Sequence, residues 1–166
     1  MANRHFPKVL ARKLTSGLIG FMFVVLLIFT VQFAYYNVMP RSFFYTYYEV
    51  IPSKAVVGEH LIFVSDREIR QSYPMNFVDE LQCTTNSHFR EVAQRIGQDF
   101  RITAFERETP ESLQARIDEG AGFEYEVFTP TEPMTCRLHT TATMELPYGV
   151  TKVQHLTSET FNIVER

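Results

Sequence analysis

Hydrophobic and polar positions divide this chain into two kinds of text. From Leu14 to Pro40 no Asp, Glu, Lys or Arg occurs, and the centre of the run, Gly17 to Tyr36, is almost wholly apolar. About 20 helical residues rise roughly 30 Å, the thickness of a bilayer's hydrocarbon core. The run therefore predicts one transmembrane helix. It should end near Tyr36, ahead of Pro40, which lacks a backbone donor and disfavours helix in the residue before it. After Pro40 the apolar positions shift to a period of two, the signature of half-buried strands.

Tyr45–Ile51 has strand composition, Leu61–Ser65 is a short apolar run, and Phe77–Thr85, Phe100–Phe105, Phe123–Phe128 and Cys136–Leu146 alternate. The last is the most regular. Cys136, Leu138, Thr140, Ala142, Met144 and Leu146 share one face, and Arg137, His139, Thr141, Thr143 and Glu145 the other. Pro147-Tyr148-Gly149 reads as a turn, so Val150–Leu156 should return as a hairpin partner, with Phe161–Val164 closing the chain. Pairing Leu146 with Val150 sets Thr141 opposite His155, His139 opposite Thr157 and Arg137 opposite Glu159. Two segments read as helix. In Ser87–Ile96, Phe89, Val92, Ala93 and Ile96 fall at helical spacing with Gly97 behind them. Thr109-Pro110-Glu111 reads as the N-cap and first turn of a short helix through Asp118, with a loop as the main alternative. About seven short strands at near-regular spacing predict an antiparallel β-sandwich, immunoglobulin-like in architecture. The Trp usual in that family is absent, and position 134, two before the second Cys, holds Met rather than Tyr. The expectation is thus of architecture, not of family membership.

Charge orients this plan. Arg4, Lys8, Arg12 and Lys13 precede the run with no acid among them, and the first acid is Glu49. The positive-inside rule places such an N-terminus in the cytoplasm. The expected organisation is a basic cytoplasmic tail over 1–13, an anchor with its interfacial end over 14–40, and an extracytoplasmic domain, periplasmic or extracellular, over 41–166. Of the 16 Lys and Arg, four precede the run, so the domain holds 12 against 19 acids, a net charge of 12 − 19 = −7. That balance excludes the basic footprint nucleic acid requires. A retained anchor is favoured over a cleaved signal peptide, because the apolar stretch outlasts a usual h-region and bulky residues follow it.

Candidate chemistry is sparse. Cys83 and Cys136 are the only cysteines. Both fall on inward faces of predicted strands beyond the membrane, where an oxidising compartment would let them join, compatibly with an inter-sheet bridge. The alternative is two buried free thiols. Tyr35, Tyr36, Phe43, Phe44 and Tyr45 cluster where the helix leaves the bilayer, as an interfacial aromatic belt does. His139 and His155 would be diagonal neighbours across the hairpin. No third ligand accompanies them, so they read as surface histidines and no metal is expected. Ser16 and Gly20 make a weak small-xxx-small pair. No nucleophile–base signature, phosphate loop or dinucleotide fingerprint appears, so neither a catalytic residue nor a cofactor is assigned. Asp79, Glu80, Glu106, Glu108 and Glu111 read as acids of a solvated β surface.

Several stretches carry a resemblance: Tyr48-Glu-Val-Ile-Pro52, Val57-Gly-Glu-His-Leu-Ile-Phe-Val-Ser65, Leu81-Gln-Cys83, and the ending from Cys136 through Leu146-Pro-Tyr-Gly149 to Phe161. With the basic tail and single anchor, the chain resembles small single-pass membrane proteins of tailed bacteriophages and prophages. That resemblance implies origin and compartment and carries no functional residue. The expected function is a bitopic membrane protein that displays its domain as a binding or structural module, contacting the lipid bilayer and a protein partner. A phage envelope component for lysis or superinfection exclusion is the alternative. It lacks the long helical periplasmic segment that bridging two membranes calls for. A periplasmic enzyme with an unrecognised site is the third reading.

Overall fold

The computed structural model describes residues 8–85, 88–99 and 103–166. They fall into two compact units that divide between Met39 and Pro40. The first is a single helix, α1 (Lys8–Val38), whose Gly17–Val38 section is long and apolar enough to cross a membrane. It stops two residues before Pro40, as the proline dictates. It begins earlier than the apolar run. The basic segment read as a tail is helical from Lys8, since Ala11, Arg12 and Lys13 are good helix formers and nothing there breaks the turn. Residues 1–7 lie outside the described residues. Two polar side chains on the helix bond back to the preceding turn, Thr30 Oγ1 to the Leu26 carbonyl at 2.8 Å and Asn37 Nδ2 to the Phe33 carbonyl at 2.9 Å. Those two groups need no water.

The second unit is built of β1 (Tyr45–Lys54), β2 (Leu61–Ile69), β3 (Met75–Thr85), β4 (His88–Asp99), α2 (Pro110–Asp118), β5 (Phe123–Tyr125), β6 (Met134–Glu145), β7 (Thr151–Thr157) and β8 (Phe161–Ile163). One sheet runs β1-β2-β5 and the other β4-β3-β6-β7, with β8 also paired to β6, and every strand pairing is antiparallel. Core residues come from both sheets: Val50, Leu61, Phe63 and Tyr125 from the first, Leu81, Cys83, Cys136, Leu138 and Ile163 from the second. Phe63 is the aromatic hub. Its ring lies 5.7 Å from that of Phe123, 6.1 Å from Tyr125 and 5.6 Å from Phe161. Gly122 permits the close approach of β5 to β2. Its φ is +148°, and a Cβ there would sit 2.2 Å from the Phe63 carbonyl oxygen.

The helix expected over Ser87–Ile96 is instead strand β4, Ser87 itself lying outside the described residues. The eleven-position pairing with β3 supplies long-range hydrogen bonds that override a helical spacing of apolar residues. The strand conformation costs Ile96 its burial, and that side chain is 71 % exposed. The short helix at Thr109 forms as the cap predicts: Thr109 Oγ1 accepts the Ser112 N–H at 3.3 Å. Of the strand expected over Phe100–Phe105, residues 100–102 lie outside the described residues, and Phe105 makes only an isolated bridge to Ile69. The Phe123–Phe128 strand ends at Tyr125.

The β6–β7 hairpin adopts the register expected of it, with Thr141 opposite His155 and His139 opposite Thr157. Its loop carries two successive residues at positive φ, Tyr148 at 65° and Gly149 at 73°. Arg137 does not face Glu159. Strand β7 stops at Thr157, Ser158 bonds Leu138 through both its amide and its hydroxyl, and Arg137 donates to Thr160 Oγ1 at 3.1 Å. Because a β-branched residue is strongly disfavoured at positive φ and an exposed polar contact is worth under about 1 kcal/mol, the turn outweighs the arginine. Gly149→Val should lower the melting temperature by more than Arg137→Ala; the reverse order in thermal melts would refute the turn assignment.

Cys83 and Cys136 are directly opposed in β3 and β6, their sulfurs at disulfide distance, 1.98 Å, and their Cα atoms 4.1 Å apart. The pair lies within one sheet, not between the two. Both cysteines face inward as expected, but their strands are hydrogen-bonded neighbours. A link closing 53 residues stabilises by about 2–4 kcal/mol in the chain-entropy model. The non-reduced protein should resist alkylation at both thiols when unfolded, and reduction should lower its stability by that amount. Two freely alkylated thiols without reductant would exclude the link.

Candidate functional site

Four polar residues stand in the mostly apolar inward series of β2, β3 and β6. On β2 the inward series is Leu61, Phe63, Ser65, Arg67 and Ile69, buried at both ends and opened in the middle by a hydroxyl and a guanidinium. On β3 it is Met75, Phe77, Asp79, Leu81 and Cys83, and on β6 Thr140 stands between Leu138 and Ala142. A hydrophobic core has no use for these groups, because each must be hydrogen-bonded or wet. All four line one cleft of about 310 Å³ between the sheets. Tyr47 and Val50 join them because β1 sets them directly opposite Arg67 and Ser65.

Asp79 is the buried anchor of the site at 2 % exposure. Register alone brings its partners, for Arg95 of β4 and Thr140 of β6 flank it on the same rung. Thr140 Oγ1 donates to Asp79 Oδ1 at 2.7 Å, and Arg95 donates through Nε to Oδ2 at 3.2 Å. Arg95 also lies over the Phe123 ring at 4.6 Å, which fixes the guanidinium at the rim. Tyr125 reaches the same rung from the other sheet, its hydroxyl donating to the carbonyls of Asp79 at 3.2 Å and Ala93 at 3.0 Å. Burial, seconded by the Asp79 charge, pushes the Tyr125 phenol up to about 12.

Two of the three arginines that line the cleft, Arg95 and Arg116, have carboxylate partners, and neighbouring charges are paired as well. Asp79 takes Arg95, Glu108 takes Arg116 at 2.7 Å, Asp66 takes Arg107 at 2.6 Å and Glu68 takes Arg70 at 2.8 Å. Arg67 has no carboxylate within ion-pair distance among the described residues. Its Nη1 donates to the Tyr47 hydroxyl at 3.1 Å, and its guanidinium lies 5.8 Å from the Tyr47 ring centre and 5.9 Å from that of Phe105. These rings spread the charge without neutralising it.

The residues singled out from sequence fare unevenly. Tyr35 and Phe43 are partly exposed, whereas Phe44 and Tyr45 are fully buried in the β unit. Tyr45 donates its hydroxyl to the carbonyls of Ala142 at 2.9 Å and Lys152 at 2.7 Å, so these two residues are core rather than belt. His139 and His155 each bond a threonine across the hairpin, Thr157 at 2.9 Å and Thr141 at 3.0 Å, and His139 also meets Gln82. No group of three metal-ligating side chains occurs among the described residues. Of the acids read as solvated, Glu80 holds the outward face with Gln94 at 3.1 Å, but Asp79 does not belong with them. Ser65, Arg67 and Asp79 were missed for one reason: each occupies the apolar phase of its strand, and a polar residue in that phase is the sequence signal of a buried site.

Removing Asp79 leaves Thr140 without its acceptor and Arg95 without its counter-charge. Asp79→Ala should cost about 3 kcal/mol, the lower end for a broken buried pair because Arg95 reaches solvent. Glu80→Ala, one position along and outward, should cost under about 1 kcal/mol. Chemical denaturation of the two variants checks this, and equal losses would contradict the buried network.

No family model matches this chain, and no curated protein or solved structure matches it either.

Proposed function

We propose that this is a single-span membrane protein that displays an immunoglobulin-like binding domain on the far side of the membrane, with the inter-sheet cleft as its ligand site. The anchor reading is supported by a mainly apolar, uncharged section of 22 residues, which as helix rises roughly 33 Å, and by four preceding cations with no acid. Tyr35, near the C-terminal end of that helix, then stands at the outer interface. The fold reading is supported by strand order. Lettered along the chain, β1, β2, β3, β4, β5, β6 and β7 become A, B, C, C′, E, F and G, and the sheets become A-B-E and C′-C-F-G. Immunoglobulin-like sandwiches likewise keep A, B and E in one sheet and C, F and G in the other, here with β8 added beside F. The cysteine pair joins C to F rather than B to F, so the likeness is of architecture.

The observation that carries the binding reading is the meeting of Ser65, Arg67, Asp79 and Thr140, from three strands, in one cleft. Sandwich folds host many functions, and it is the site that separates them. This site holds aromatic and charged groups but no nucleophile with a base beside it, which favours recognition over catalysis. The likeness to phage-encoded single-span proteins would set the domain in a bacterial envelope.

Compartment is tested with paired fusions. A reporter active only in the cytoplasm should work at the N-terminus and be silent after Arg166, while one active only outside should show the converse. Cytoplasmic activity after Arg166 would overturn this reading.

A further inference from the structure

We infer that the cleft binds a small aromatic carboxylate, held by Arg67 through its negative group and by the aromatic walls through its ring. The inference rests on the cleft being the ligand site. Three arginines line it, Arg67, Arg95 and Arg116, of which the last two have carboxylate partners at 3.2 and 2.7 Å. Arg67 is half-buried, spends one N–H on Tyr47 and keeps the rest of its fork unspent among the described residues. Half-buried charge without a counter-ion is unfavourable, so a ligand that supplies one is favoured. The guanidinium fork fits a carboxylate in two parallel bonds, and one uncompensated positive charge calls for a monoanion rather than a doubly charged phosphate.

The walls define the rest of the ligand. Tyr47, Phe77 and Phe123 line the cleft along with Val50, so its body is apolar and ring-shaped. Ser65, opposite Val50 and two residues from Arg67, places a hydroxyl on the wall that holds the carboxylate. A volume of about 310 Å³ lies at the small end of ligand pockets and suits a single-ring compound rather than a folded chain segment.

The test uses the full chain in nanodiscs of zwitterionic lipid, with phenylacetate as probe, 2-phenylethanol as its uncharged counterpart and inorganic phosphate as an anion without a ring. Modification of Arg67 by p-hydroxyphenylglyoxal is followed by peptide mass mapping, and binding by equilibrium dialysis. Phenylacetate should bind saturably and slow Arg67 modification about tenfold, the other two probes should not, and Arg67→Met should weaken phenylacetate binding by about tenfold or more with the melt retained. The protection measurement needs no variant, so it decides even if Arg67→Met fails to fold. Equal protection by 2-phenylethanol leaves the cleft a ligand site and overturns the anion. Equal protection by phosphate overturns the aromatic body. Protection by none of the three overturns both this inference and the assignment of the cleft.

Discussion

Two sheets that share a core must still satisfy the polar groups that closing the core takes out of water, and in this domain the same few groups tie one sheet to the other. Tyr45 reaches from β1 to the carbonyls of Ala142 and Lys152, and Gln154 of β7 reaches back to bond both the amide and the carbonyl of Tyr47. On the opposite side Tyr125 of β5 bonds the carbonyls of Asp79 and Ala93. Every one of these bonds ends on backbone, so each ties a side chain to the other sheet's register rather than to another mobile side chain. An unmade bond of this kind costs more than a made one contributes, which turns the ties into constraints on how the sheets slide. The cysteine pair has no such role, because it links neighbours already held by a ladder.

The cleft follows from where those ties stand. Packed aliphatic side chains fill the end of the interface around Leu61, Leu81 and Leu138, while Tyr45 and Gln154 hold β1 to β7. Between these zones Ser65 and Arg67 replace the residues that would complete the core, so the sheets stay apart there. Asp79 is burdened with a buried charge that Thr140 and Arg95 offset without surplus. Replacing the ion pair by apolar residues of similar volume is often neutral or stabilising. Its presence therefore weighs toward a site that needs polar groups rather than toward a fold that does.

How much of this was legible depends on whether a residue's role is set by its own strand. Periodicity located the helix, most strands, the α2 cap and the hairpin with its register, because alternation and turn residues act locally. Strand β4 was illegible for the converse reason. Its apolar residues fit a helix, and only pairing with β3, a tertiary event, makes it a strand. The same holds for Phe44 and Tyr45, whose composition suits a membrane interface as well as a core. Asp79 was misread although its position was correctly phased: Phe77, Leu81 and Cys83 fixed the inward face, and Asp79 sits on it. Reading the exception to the alternation, rather than the alternation, would have found β3's share of the site. Ser65 and Arg67 follow Leu61 and Phe63 in the same way.

The electrostatics of the domain limit how such a site could act. Residues 41–166 carry a net −7, so at long range the domain repels anions. At physiological ionic strength that field decays over about 8 Å, while a bond to a half-buried guanidinium is screened much less. Selection therefore falls to the last few ångströms, where the Arg67 fork and the rings of Tyr47 and Phe77 meet the ligand. Multiply charged anions lose twice, by repulsion on approach and by finding one cleft arginine without a carboxylate among the described residues on arrival. A singly charged ligand with an apolar body loses least on approach and gains most on contact. Under the proposed binding, an acidic surface around a cleft arginine with no carboxylate among the described residues would filter for low charge, which neither the net charge nor the arginine would do alone.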